Sequence, residues 1–363
     1  MFRIILDLRT VLLLFVASGL FLTTCGYLKL SYVSFAWYFL VVLGLLVSIV
    51  LSPIRVPRKL NNLYARKDFL YFVNILFVLS SVAWIRFVYE IFIVNGAQSL
   101  IYLRSPEYAL EGVYDDTFFN IFSRMYLFTI IFHVGRRVNF GTTSPFYYIL
   151  LFTGLAFSLI MMTRAPIISY FCAIAGPILM NGTVSGLFRL FILALLAVFG
   201  ISGFIEGSSE AVFLYAFGGF EALGSIIDGA VLYSSDSVLS LEPLYYIGSK
   251  MGLTDAIDYV RDYTYTSLGK TTVYTFFDSL VIDFGSVFSL VFVVILAVIY
   301  GLVYSLLLKT SVFNTFILPI TLYMNLMVFM NNEYLRSGFW ISSFLLVIVS
   351  FLLRVFHGWN SNS

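Results

Sequence analysis

Two carboxylates, Asp278 and Asp283, lie in the stretch TTVYTFFDSLVIDFG, Thr271 to Gly285, where an apolar run begins. Charge at membrane depth costs several kcal/mol, so ionisable groups there usually have a role. A carboxylate at the membrane boundary can serve as base for a hydroxyl. Three further ionisable residues fall inside apolar runs: Arg86, Glu90 and Arg124. Arg86 and Glu90 are four apart and share a helical face. The three read either as the lining of a polar cavity or as an ion cluster that pins two helices. Arg164, in MMTRAP, and Arg336, in NNEYLRSG, are each the sole basic residue of a short turn. Each reads either as an anchor to lipid headgroups or as a clamp on phosphate. Guanidinium is a planar fork of donors that matches phosphate oxygens. Several such arginines at one cavity mouth favour a pyrophosphate over a single carboxylate.

Other chemistries have less support. Of the two histidines, His133 falls toward the inner end of an apolar run and His357 follows the last one. Asp115 and Asp116 could bind a divalent cation, but a solvated acidic loop also accounts for them. There is no phosphate-binding GxxxxGK[ST] loop, GxSxG elbow or Cys/His zinc spacing. No metal and no cofactor is expected. Cys25 and Cys172 read as small core residues, and the LTTCG around Cys25 lacks the small residues of a lipoprotein cleavage site. Tyr233, Tyr245, Tyr246, Tyr259, Tyr263, Tyr265 and Tyr274 crowd one segment. Their flat faces and hydroxyls suit a sugar, and equally an aromatic belt at the membrane interface.

The elements that must hold these residues follow from composition. Of 363 residues, 61% are hydrophobic and 11% charged, with mean hydropathy +0.98. Soluble domains carry about 25% charged residues. The chain therefore reads as an all-α polytopic membrane protein. Runs near the ~20 residues of a spanning helix occur at 10–26, 33–52, 69–94, 118–135, 147–163, 166–182, 189–205, 284–308, 314–332 and 338–356. With the N-terminus inside, one face collects twelve basic residues against Asp7 and Asp68, and the other seven basic residues with sixteen of the nineteen acids. By the positive-inside rule both termini are cytoplasmic. This gives a membrane domain over 1–205, a large outer loop over 206–283 and a second membrane part over 284–363. In the loop, Asp255, Asp258 and Asp262 would share one face of a short helix, with Arg261 at its edge.

TTVYTFFDSLVIDFG, continued by SVFSLV, resembles a late motif of Wzy-type O-antigen polymerases, a VYTF segment followed by DFG at the start of a span. SLIMMTRAPIISYF resembles the family's turn between middle spans, and the layout of about ten spans with one large late loop also fits. The resemblance implies a GT-C-like fold and a metal-independent glycosyltransferase. It would join undecaprenyl-pyrophosphate-linked repeat units at the periplasmic face of the bacterial inner membrane. Donor and acceptor would both be lipid-linked oligosaccharides. Membrane lipid and a polysaccharide chain-length regulator are further candidate partners, and nucleic acid is not one. Residue by residue, Arg164 matches the turn arginine, and Tyr274, Thr275, Asp283 and Gly285 match the late motif. The chemistry then needs a base, Asp283 or Asp278, with Asp258 and Asp262 as rivals. Charge stabilisation for the departing pyrophosphate would come from Arg164, Arg336, Arg261, Arg86 and Arg124, with Glu90 beside them. A flippase or transporter of lipid-linked saccharide is the competing expectation. It requires polar residues to continue into the inner half of the spans.

Overall fold

The computed structural model describes residues 7–54, 63–94, 122–141, 146–160, 164–180, 209–229, 238–241, 244–245, 248–249, 251–255, 264–271, 275, 277–327, 346 and 348. In chain order the elements are α1 (Leu8–Thr24), α2 (Tyr32–Leu51), α3 (Lys67–Tyr89), α4 (Met125–Phe140), α5 (Phe146–Ile160), α6 (Arg164–Met180) and α7 (Ser209–Ile227). A short hairpin, β1 (Thr264–Thr266) and β2 (Gly269–Thr271), precedes α8 (Asp278–Leu307) and α9 (Leu318–Met327). π-Helical stretches at Glu90–Val94 and Phe313–Ile317 follow α3 and lead into α9. Among the described residues, α2, α3 and α8 are long and apolar enough to cross a membrane, and several shorter helices are apolar. The fold is thus predominantly helical, as composition requires. The hairpin and the long helix α7 are additions to what the sequence predicts for 206–283. The run 189–205 and nearly all of 338–356 lie outside the described residues.

The chain forms two compact units. The first takes residues 1–58, 196–308 and 324–337, the second 59–195, 309–323 and 338–363. In the first unit, α2 and α8 run parallel. Trp37 Nε1 donates to the Ser286 carbonyl at 2.6 Å. Further along, Gly44 lies against Val294, and Ser52 against Gly301. The contacts advance together on both helices, which fixes their direction. Helix α1 runs the opposite way. Helix α7 fills the space beside α1 and α2. Phe220 stacks on Tyr38 with centroids 3.9 Å apart, and its ring covers Gly19. Tyr38 donates to the Phe220 carbonyl at 2.8 Å. Val16, Tyr38, Phe220 and Phe277 are fully buried in this core.

A polar knot ties the far end of the same unit. Asp7 caps α1 and accepts from Arg9 Nε and Nη2 at 3.0 and 2.9 Å. Arg9 Nη1 donates to the Ser48 and Ser52 carbonyls and to Ser52 Oγ. Those carbonyls belong to the last turn of α2, where a helix leaves acceptors unmatched and favours a cation.

In the second unit α4 is the central helix, with every residue from Met125 to Gly135 buried. Helix α3 presents Phe69, Val73, Leu76, Ser80, Ala83, Trp84 and Phe87 to the interior, the stripe that a 3.6-residue period produces. Trp84 stacks on Phe157 of α5 and donates to the Ser123 carbonyl at 2.9 Å. Gly176 lets α6 meet Pro319 closely. Leu63 N donates to Thr315 Oγ1, and the Tyr64 hydroxyl to the Thr315 carbonyl. Burial pushes that phenol well above the ordinary tyrosine range.

Candidate functional site at the membrane entry of α8

Of the late motif, the structure describes Thr271, Thr275 and the residues from Phe277 to Gly285. Asp278 is the first residue of α8 and is 1% exposed. Thr275, fully buried, precedes it, and Thr275 Oγ1 accepts from Phe277 N at 3.4 Å. The helix then breaks at Gly285, with φ 72° and ψ 169°. A side chain is strained at that φ, so the glycine of DFG is the residue that lets the chain turn here. Residues 278–284 form a short helical piece set at an angle to the long apolar helix that follows. The apolar run expected from 284 therefore starts at the break itself.

Asp283 sits two residues before the break. Its Oδ1 accepts from Leu239 N at 2.8 Å, and its Oδ2 from Ser240 N at 2.7 Å and from the Ser240 hydroxyl. Both oxygens are engaged by the 3-10 turn Leu239–Leu241. Two carboxylates that the sequence reading passed over act in the same way. Glu221 of α7 is 4% exposed. It accepts from the backbone N–H of Lys29, and from the backbone N–H and the hydroxyl of Ser267 at the tip of the β1–β2 hairpin. Asp228 Oδ1 accepts from Ser31 Oγ at 2.6 Å and Ser34 Oγ at 2.7 Å. Three carboxylates of one unit thus hold the 239–241 turn, the hairpin and the α1–α2 connection. Hydrogen bonds from backbone amides to carboxylates are stronger than neutral ones, so the Asp283 and Glu221 staples outweigh ordinary turn contacts.

The arginine candidates that the structure describes, Arg86, Arg124 and Arg164, belong to the second unit. Arg86 Nε donates to Glu90 Oε1 at 2.7 Å across one turn. The Arg86 side chain is 54% exposed and lies off the buried stripe of α3, beside exposed Ile85 and Tyr89. Arg124 is exposed and occupies the N-cap position of α4 without a side-chain capping bond. Arg164 is the first residue of α6, and its side chain lies outside the described residues. Tyr274, Arg261 and Arg336 lie outside them too, as do Asp115, Asp116, Asp258 and Asp262. Among the sequence candidates, then, Thr275 and Asp278 are neighbours at the start of α8, with Asp283 further along the same helical piece, and Arg86 pairs with Glu90 in the second unit.

Among the described residues no three His, Cys, Asp or Glu side chains are grouped to hold a metal ion. His133 is paired instead, its Nε2 lying 3.1 Å from Asn74 Oδ1. No protein family, curated protein or solved structure matches the chain.

Glu221 left a signal in the sequence. It is the single charge in VFLYAFGGFEALGSII, and a lone acid in an apolar helical run is a candidate for a specific partner. Arg9 and Asp7 left a weaker one. Two residues apart before an apolar run, they are indistinguishable from flanking charge until their burial is known.

Proposed function

We propose that the chain is a polytopic membrane glycosyltransferase that polymerises undecaprenyl-pyrophosphate-linked oligosaccharide repeat units. It would act at the periplasmic face of the bacterial inner membrane, in a GT-C-like arrangement of about ten spans with both termini cytoplasmic. The observation that carries this reading is the placement of Asp278. It is buried at the start of α8, beside Thr275 and just above the Gly285 break, in the segment that resembles the polymerase motif. Asp283 has both oxygens engaged by the 239–241 turn. In this proposal Asp283 therefore positions the loop, and Asp278 is the base for the acceptor hydroxyl. Arg164, Arg336, Arg261, Arg86 and Arg124 remain the proposed partners of the pyrophosphate. The lipid-linked donor and acceptor are the proposed substrates, with a chain-length regulator as a proposed partner.

One observation favours the competing transporter reading. Tyr126, Thr129, His133 and Arg136 follow one face of α4 along its length. Their hydrogen bonds, however, go to protein. Tyr126 meets Ser158, Thr129 its own helix, His133 Asn74 and Arg136 the Tyr64 carbonyl. That is the pattern of polar groups that bind helices together in a membrane, and it leaves the polymerase as the better-supported reading.

The test is deletion of the gene followed by sizing of the surface polysaccharide. A product of one repeat unit is expected, with long polymer restored by the intact chain. Asp278→Asn, inserted at normal levels, should not restore it. Loss of all surface saccharide would instead assign the chain to lipid-linked saccharide transport.

A further inference from the structure

The segment stapled by Asp283 has an unusual surface. Val238 and Leu241 are exposed on either side of the bonded residues. Leu244, Met251 and Leu253 are 62%, 67% and 71% exposed. Met251 and Leu253 flank Gly252, whose φ is +70°. Leu253 N donates to the Gly248 carbonyl at 2.9 Å and Gly252 N to the Ser249 carbonyl at 3.1 Å. This is the Schellman closure of a helical turn, in which the residue after the glycine commonly packs back on the turn. Here that residue is Leu253, and it points outward instead. Thr254 Oγ1 donates to the Tyr245 carbonyl at 3.2 Å, which holds the turn at Met251–Leu253 close to Tyr245.

The position of this turn indicates what covers it. Asp283 ties the 239–241 turn to α8 at the break, and directly below the break Val287 and Phe288 are 72% and 67% exposed. Those residues begin the outward apolar stripe of a helix long enough to cross a bilayer. The chain from Leu241 to Leu244 can extend no more than about 10 Å. Leu244, and with it the Tyr245–Thr254 closure, is therefore tethered near the break, within reach of the headgroup layer of a bilayer that α8 crosses. Tyr27 in the α1–α2 connection, Tyr32 at the start of α2 and Tyr265 in β1 are also exposed, on parts that the carboxylate staples hold at this end, as residues of an interfacial belt are.

We infer that Leu244, Met251 and Leu253 form a membrane-dipping tip, inserted in the leaflet at which α8 begins. The occupant of the surface is lipid. The inference rests on α8 crossing the bilayer and is independent of the polymerase proposal.

The test uses the full chain in lipid nanodiscs. Cys25, which is exposed, is replaced by serine, while Cys172 is buried and does not react. A single cysteine at Leu253 is labelled with an environment-sensitive nitrobenzoxadiazole probe, and one at the exposed Lys309 serves as the aqueous reference. Both sites are exposed, so neither label disturbs the packing. The probe at 253 should emit to the blue of the probe at 309. It should lose roughly half its intensity when the discs carry phosphatidylcholine brominated near the glycerol end of its chains, as a side chain seated at the headgroup boundary requires. Emission like that of water at 253, with no bromine quenching, would overturn the inference. So would blue emission that bromine leaves unchanged and that grows with the number of chains per disc, since a second copy would then cover the tip.

Discussion

Arg9 has its guanidinium engaged entirely inside the protein, on Asp7, Ser48 and Ser52. A buried arginine whose fork meets a carboxylate on one edge and helix carbonyls on the other is held in one geometry. That geometry sets a condition on a third helix. A Cβ at Gly301 would come within 2.5 Å of Arg9 Nη1 and 2.7 Å of the Ser52 carbonyl. The first is the head of a fixed side chain and the second is backbone, so neither can give way cheaply. Gly44 also lies at the α2–α8 contact, but a Cβ there would meet only Val294 Cγ2, which a rotamer change can move. Gly301→Ala is therefore expected to destabilise the detergent-solubilised protein by about 1–3 kcal/mol, the usual cost of overpacking. Gly44→Ala should cost clearly less. Thermal unfolding followed by size-exclusion chromatography ranks the two. Equal midpoints would mean that the Arg9 knot yields, and that it is not the contact that fixes the spacing of α2 and α8.

At the scale of elements, the carboxylate staples divide the work between helix and loop. Glu221 joins α7 to the hairpin through Ser267, and the hairpin has only the pairs Thr264–Thr271, Tyr265–Lys270 and Thr266–Gly269 to hold it. Two strands of that length are not stable alone. Glu221→Gln keeps the shape but replaces one acceptor oxygen by a donor that would face a donor. Weakening a charged hydrogen bond costs roughly 1.5–3 kcal/mol. Hydrogen exchange at residues 264–271 is expected to rise by about ten- to a hundred-fold, with exchange in the α8 interior unchanged. Unaltered exchange in the hairpin would show that packing rather than Glu221 holds it. The same comparison explains what sequence could deliver. α1, α2, α3, α5 and α6 lie close to the expected runs because uninterrupted apolar length is a local property. Helix α7 did not stand out, because Gly218, Gly219 and Glu221 break its apolar run. It is helical because Phe220, Ala222 and Leu223 are buried against other elements, which is a tertiary fact. The Gly285 break was legible only as a motif. Its staple to Leu239 and Ser240 joins residues more than forty positions apart, and no periodicity carries that information.

At the scale of the molecule, the parallel course of α2 and α8 constrains the topology. If both cross the membrane in the same direction, the chain between them must cross an odd number of times. Five apolar runs lie between them by sequence, from 69–94 to 189–205, and α7 would be a sixth. If all five cross, helix α7 does not complete a crossing. Its own contacts agree with a helix that enters and leaves by one face. Asp228, just past its end, bonds Ser31 and Ser34 at the start of α2. Glu221 and Leu214, further back along the same helix, both touch the hairpin. A half-embedded helix of this kind is tolerated where protein surrounds it, and Phe217 and Phe220 pack on Phe15 of α1. In a Cys25→Ser background, single cysteines at Ser209 and Ser267 should both react with a membrane-impermeant maleimide in intact spheroplasts. A cysteine at Lys309, beyond the other end of α8, should react only after lysis. Protection of the cysteine at 209 alongside reaction of the one at 267 would make α7 a full crossing. One of the five runs before it would then have to stay on one side, and every loop from that run to α7 would change its positive-inside assignment.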